Sequence, residues 1–143
     1  MFVVSKAHWE LFSHPADIGL RGFGPTREEA FAQAAVALTA VMTDPQKVQP
    51  KEAVEIICRE QDDELLFVSW LSSLLYEMGT RGMLFSRFEV EPIEGGVRAK
   101  AWGEPVDVEK HEPAVEVKAA TYAGLKVEQD RDGIWLAQCI VDV

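Results

Sequence analysis

The sequence predicts a single α+β domain, antiparallel sheet packed with two main helices. Three observations predict it: a length of 143 residues, two stretches with helical signals, and two strand pairs separated by glycine-bearing turns. At roughly 100 to 200 residues per domain the chain forms one unit over residues 1–143, long enough to bury a proper core. An apolar share of 48% against 27% charged residues is the balance of a folded domain rather than of a disordered tail.

Trp9-Glu10-Leu11-Phe12 and Ile18-Gly19-Leu20-Arg21-Gly22-Phe23 read as short strands flanking a polar knot, Ser13-His14-Pro15-Ala16-Asp17. Thr26-Arg27-Glu28-Glu29 fits a capping box, and Ala30, Phe31, Ala34, Leu38 and Val41 recur at helical spacing, so a helix runs from about Arg27 to Met42. Asp44-Pro45 stops it, because proline has no amide donor and disfavours helical geometry in the residue before it. Ala53 to Cys58 reads as a strand. Gln61-Asp62-Asp63-Glu64 puts negative charge where the next helix has its positive end; that helix runs from Leu65 to Met78, ends at Gly79, and is apolar enough on most sides to be heavily buried.

The second half reads as strands. Leu84 to Ile93 and Val97 to Gly103 flank Glu94-Gly95-Gly96, and Leu125 to Gln129 and Ile134 to Val141 flank Asp130-Arg131-Asp132-Gly133. The segment Glu104 to Thr121, with Pro105 and Pro113, has no readable pattern; it concentrates Asp107, Glu109, His111, Glu116 and Lys118.

Composition excludes several functions. Fourteen Lys and Arg against twenty-four Asp and Glu give a net charge of −10, which repels polyphosphate, so nucleic acid is not expected as a direct ligand. No apolar run approaches the roughly 20 residues that span a bilayer and Met1 to His8 is no signal peptide, so the expected location is the cytoplasm. Cys58 and Cys139 lie far apart in apolar stretches and read as buried hydrophobes, not as a redox pair or zinc ligands. No phosphate-binding loop, nucleotide-binding glycine motif, nucleophile elbow or paired-histidine zinc helix is present.

What remains is a set of acids. Asp17 sits in a turn beside His14, where a carboxylate can face solvent or a cation. The final strand, Ile140-Val141-Asp142-Val143, sets the Asp142 side chain next to the α-carboxylate of Val143. If that strand pairs near Asp17, three carboxylates converge, and like charges so close need a counter-charge; Ca²⁺, Mg²⁺ or Mn²⁺, which prefer oxygen ligands, would supply it. A solvated, frayed C-terminus is the competing reading.

At these residues the chain resembles the archease family. His14-Pro15-Ala16-Asp17-Ile18-Gly19 is similar to its His-Thr-Ala-Asp-x-Gly signature. Leu65-Leu66 through Trp70-Leu71 to Leu74-Leu75-Tyr76 resembles its central helix. Glu116-Val117-Lys118-Ala119-Ala120-Thr121-Tyr122 and the closing Asp142-Val143 resemble its C-terminal part. The resemblance implies a non-enzymatic protein that assists an RtcB-type RNA ligase of tRNA splicing and RNA repair, promoting GTP-dependent guanylylation of the ligase and hence multiple turnover. It also implies a divalent-metal site of Asp17, Asp142 and Val143, with calcium best suited to irregular geometry. A chaperone-like role toward a tRNA methyltransferase and a metal-dependent phosphoesterase are the alternatives. The sequence departs from the family pattern at Pro15, where threonine is usual, and at Ala123-Gly124, where a histidine is expected, which leaves His14 and His111 as the imidazoles near the site.

Overall fold

The computed structural model describes residues 7–15 and 17–143. Ala16 of the polar knot and most of the N-terminal stretch read against a signal peptide lie outside them. In chain order the elements are β1 (His8–His14), β2 (Asp17–Gly24), α1 (Arg27–Met42), a 3-10 turn at Pro45–Lys47, β3 (Glu52–Arg59), α2 (Asp63–Arg81), β4 (Met83–Ile93), β5 (Gly96–Pro105), α3 (Val108–His111), β6 (Ala119–Ala120), β7 (Lys126–Gln129) and β8 (Trp135–Asp142). They form the expected α+β domain with antiparallel sheet and two main helices.

The strands fall into two antiparallel sheets. In the larger, β2 lies between β1 and β8, and the far edge of β8 is shared by β6 and β7. In the smaller, β5 lies between β3 and β4. Helix α1 packs on both β2 and β4 and so joins the sheets. It starts where its capping box predicts, the Thr26 hydroxyl accepting from the Glu29 amide at 3.1 Å. Its small residues Ala30, Ala34, Ala35 and Ala37 are wholly buried, which lets its backbone lie almost on β2. Trp70 of α2 anchors to α1, its indole donating to the Phe31 carbonyl at 3.0 Å, while Phe31 and Phe67 pack at a 5.2 Å centroid distance.

Helix α2 corrects the expected end at Gly79. The helix continues through Gly79 to Arg81, helped by the Arg81–Glu77 ion pair at 2.6 Å one turn apart, and Gly82 at φ 62° supplies the left-handed cap. It is also less enclosed than its composition suggests: Leu66, Phe67, Trp70, Leu71 and Leu74 are buried, but Leu65 and Tyr76 are exposed. The unread segment after Glu104 contains one short helical turn, α3, and one short strand, β6.

Gly22 marks the tightest contact between helix and sheet. A Cβ there would lie 2.1 Å from the Ala30 carbonyl oxygen and 2.3 Å from the Ala34 nitrogen, both backbone atoms that cannot step aside. At Gly19 the obstacle is only the tip of the Phe12 ring, at 2.0 Å, on a side chain that can swing outward. Gly22→Ala should therefore lower the unfolding free energy by about 1–3 kcal/mol and Gly19→Ala by clearly less, as read from urea denaturation midpoints.

Candidate metal centre

The ladder between β2 and β8 pairs Leu20 with Cys139, Gly19 with Ile140 and Ile18 with Val141. Carried one residue further, to the ends of both strands, this register sets Asp17 opposite Asp142. Directly opposed residues of an antiparallel pair project from the same face. Leu20, Ala137, Cys139 and Val141 are buried and define the core face, so Asp17 and Asp142 stand together on the outer one. On the other side of β2, His14 pairs with Asp17, and on the other side of β8, Ala119 pairs with Asp142. One row across the sheet thus reads His14, Asp17, Asp142, Ala119.

The last strand is held from both sides. The Lys118 amide donates to the Asp142 carbonyl at 2.8 Å, and the Thr121 hydroxyl and amide both donate to the Ile140 carbonyl, at 2.8 and 3.1 Å. The side chain of Val143 packs against the core. The frayed reading of this end is thereby replaced by an ordered one, with Val143 directly following Asp142.

No cation of the described residues pairs with either aspartate. The basic residue of that face on β2, Arg21, is two rows away and engaged there: its Nε donates to Gln138 Oε1 at 2.6 Å, its Nη1 lies 3.4 Å from Glu10, and its guanidinium stacks 4.0 Å over the Phe12 ring. Phe12 and Ile140 occupy the intervening row. Carboxylate oxygens with no positive partner are the donor chemistry a hard divalent cation takes, so the residues fit one. Among the described residues no three His, Cys, Asp or Glu side chains form a metal-holding group, so Asp17 and Asp142 need a further donor beyond such side chains.

His111, the other imidazole considered near the site, is committed elsewhere. It is 1% exposed, its Nδ1 accepts from the Asp107 amide at 2.9 Å, and its Nε2 meets Glu104 at 2.8 Å. With Nδ1 accepting, Nε2 must carry the proton and donate it, so neither nitrogen is left for a metal. Glu104 is the residue sequence reasoning missed. It is 5% exposed and gathers Lys110 Nζ at 2.7 Å, the Gln49 amide at 3.0 Å and His111. The ammonium of Lys110, then the Gln49 amide and His111, outweigh the cost of burial and hold its carboxyl at about 2. No signal in the sequence marks it: Glu104 falls on the outward phase of Arg98, Lys100 and Trp102, and only the structure shows Gly103 and Glu104 adjacent and both buried. The cysteines are as expected: both are buried, and burial pushes the Cys139 thiol up to about 12.

The Archease protein family (MTH1598/TM1083) model matches residues 9–143. The chain belongs to the archease family. It is 46% identical to the protein archease of Thermococcus gammatolerans over 139 residues, 94% of this chain and 98% of that one, and 45% identical to that of Thermococcus kodakarensis with the same coverage. The solution structure of protein 1598 of Methanobacterium thermoautotrophicum matches with a TM-score of 0.82 at 35% identity, over 94% of this chain and 98% of that one. The crystal structure of an archease and possible chaperone from Thermotoga maritima shares the fold, with a TM-score of 0.62 at 18% identity over 92% and 94% of the two chains. The chain therefore shares its fold with both solved structures.

The Glu104 cluster generates a pH prediction. A carboxyl held below its unfolded value contributes stability above that value and loses it as pH falls toward the folded one. Unfolding free energy should therefore drop between about pH 4.5 and 2, and Glu104→Gln should be less stable at neutral pH with a flatter acid limb, measured by chemical denaturation at stepped pH.

Proposed function

We propose that this archease is a non-enzymatic activator of an RtcB-type, GTP-dependent RNA ligase, acting through one divalent cation held by Asp17, Asp142 and the Val143 α-carboxylate. The observation that carries the reading is the aspartate pair, without an ion-pair partner among the described residues, opposed on the outer sheet face, where Asp17 is half-buried and Asp142 exposed. When bound, the cation supplies positive charge able to offset negative charge around a nucleotide triphosphate. The chain's own residues do the rest. The β2–β8 ladder fixes the carboxylates relative to each other, Val143 ties the last residue to the core, and His14 borders the site beside Asp17. With a net charge of −10 the protein gains little by holding RNA, so its effect falls on the ligase's nucleotide-transfer step. Calcium suits a site of few protein donors completed by water.

A phosphoesterase needs a phosphate clamp near its metal, and Arg21 on this face is engaged with Gln138, Glu10 and Phe12. The chaperone-like reading toward a tRNA methyltransferase comes from the family resemblance; the Thermotoga maritima relative is described as a possible chaperone, but its 18% identity speaks to fold alone.

Sub-stoichiometric protein should convert a single-turnover cognate ligase into a multiple-turnover one by accelerating the ligase–GMP intermediate, and Asp17→Asn or Asp142→Asn should lose the effect while folding normally. Absence of activation by the unmodified protein refutes the ligase assignment, and full activation after one residue is added beyond Val143 excludes the α-carboxylate. Calcium should also raise the melting temperature, by an amount equivalent to about 2.7 kcal/mol at a hundredfold excess over Kd. In Asp17→Asn that shift should vanish; an unchanged shift would mean the cation sits elsewhere.

A further inference from the structure

Strand β3 is an edge of the smaller sheet, and among the described residues no strand pairs with its outer side. The Glu60 amide donates to the Gly95 carbonyl at 3.0 Å, which sets the phase of the β3–β5 ladder. Hydrogen-bonding direction alternates along an antiparallel strand, so the main-chain groups of Val54, Ile56 and Cys58 turn to β5. Those of Ala53, Glu55, Ile57 and Arg59 turn outward. The same four residues also carry the solvent-facing side chains, because Val54, Ile56 and Cys58 are buried.

Edges left this way invite another strand, and proteins usually guard them with proline, a bulge or a misplaced charge. The other edge of this sheet, β4, has both a register break between Phe85 and Arg87 and a proline, Pro92. Over residues 53–59, β3 has neither proline nor register break, and Ile57 is 46% exposed at its middle. Its charges discriminate among partners. A two-fold centred on Glu55 or on Arg59 would stack like charges, and one centred between residues would pair a charge with Ile57. The two-fold centred on Ile57 sets Ile57 against Ile57 and Glu55 against Arg59 in both directions, with the outward main-chain groups in phase. Glu55 has no ion pair among the described residues. Among the described residues the Arg59 side chain reaches only the Glu94 carbonyl, at 3.2 Å. Beside this edge α2 presents Ser69, Ser72 and Ser73, small residues that leave a groove open along β3, and Tyr76, which is 66% exposed.

We infer that two copies of this chain associate through antiparallel pairing of their β3 edges about a two-fold axis at Ile57, joining the two small sheets into one. The partner is a second copy because the Glu55, Ile57, Arg59 pattern is complementary to itself in that register. The dimer leaves the Asp17–Asp142 face uncovered, since that face belongs to the other sheet, and its test does not involve a ligase or a metal.

The test is a charge-swap cycle read by sedimentation velocity. The unmodified chain should sediment at twice its 15.9 kDa mass at high concentration and dissociate on dilution. Glu55→Arg and Arg59→Glu should each raise the dimer dissociation constant about tenfold or more, because each places like charges opposite one another at both symmetric positions. Mixing the two variants should restore a dimer containing one of each, as should the double swap on one chain. Both substitutions are at exposed positions, and unchanged circular dichroism checks that the variants fold. An unmodified chain that stays at 15.9 kDa at every concentration, or a dimer that persists in both single variants, overturns the inference.

Discussion

The architecture depends on the placement of one strand. β8 is the last strand in the sequence yet lies inside its sheet, paired along one side with β2 and along the other with β7 and then β6. Its alternate residues Ala137, Cys139 and Val141 are buried against the core, so a slip by one residue would turn all of them to the opposite face and carry the exposed Asp142 toward the core. Hydrophobic burial therefore enforces the register, and the register opposes Asp142 to Asp17. Two carboxylates that would otherwise separate are held together by the core beneath them.

The same logic explains the stiffness of that end. α1 lies on the backbone of β2 at Gly22, so the strand bearing Asp17 cannot tilt without disturbing the helix that joins both sheets. On the far side, residues 118–124 run along β8 and satisfy its main chain at Ile140 and Asp142. The preceding stretch is tethered through His111, whose carbonyl accepts from the Thr43 hydroxyl at the end of α1 and whose ring joins Glu104. A buried carboxylate with an ammonium, an imidazole and an amide around it specifies one path for this segment, and Val117 adds an apolar anchor in the core.

Elements built on local rules were legible in the sequence. The capping box gave α1 its start and Asp44-Pro45 its end, and the Glu94-Gly95-Gly96 and Asp130 to Gly133 turns gave both hairpins, because each signal lies within a few residues of what it determines. Asp17, Asp142 and Val143 were legible as candidates through their residue types and the family signature, but their meeting depended on a pairing between the second strand and the last, which no local rule supplies. The residues 104–121 were opaque for a related reason. Their structure comes from Glu104 and His111, polar residues of the segment itself, and from Thr43, which is far away in the sequence, so no periodicity announces them. At Gly79 and Gly82 two glycines offered competing helix ends, and the ion pair between Glu77 and Arg81 carried the helix past the first.

The proposed cation site, created by the β2–β8 register and shared by both strand ends, can be followed by amide NMR during a calcium titration. His14, Asp17, Ile18, Asp142 and Val143 should shift together with a single Kd, while the acidic Asp62–Glu64 start of α2 stays still. Shifts centred on α2, or different affinities for Asp17 and Asp142, would contradict that proposal.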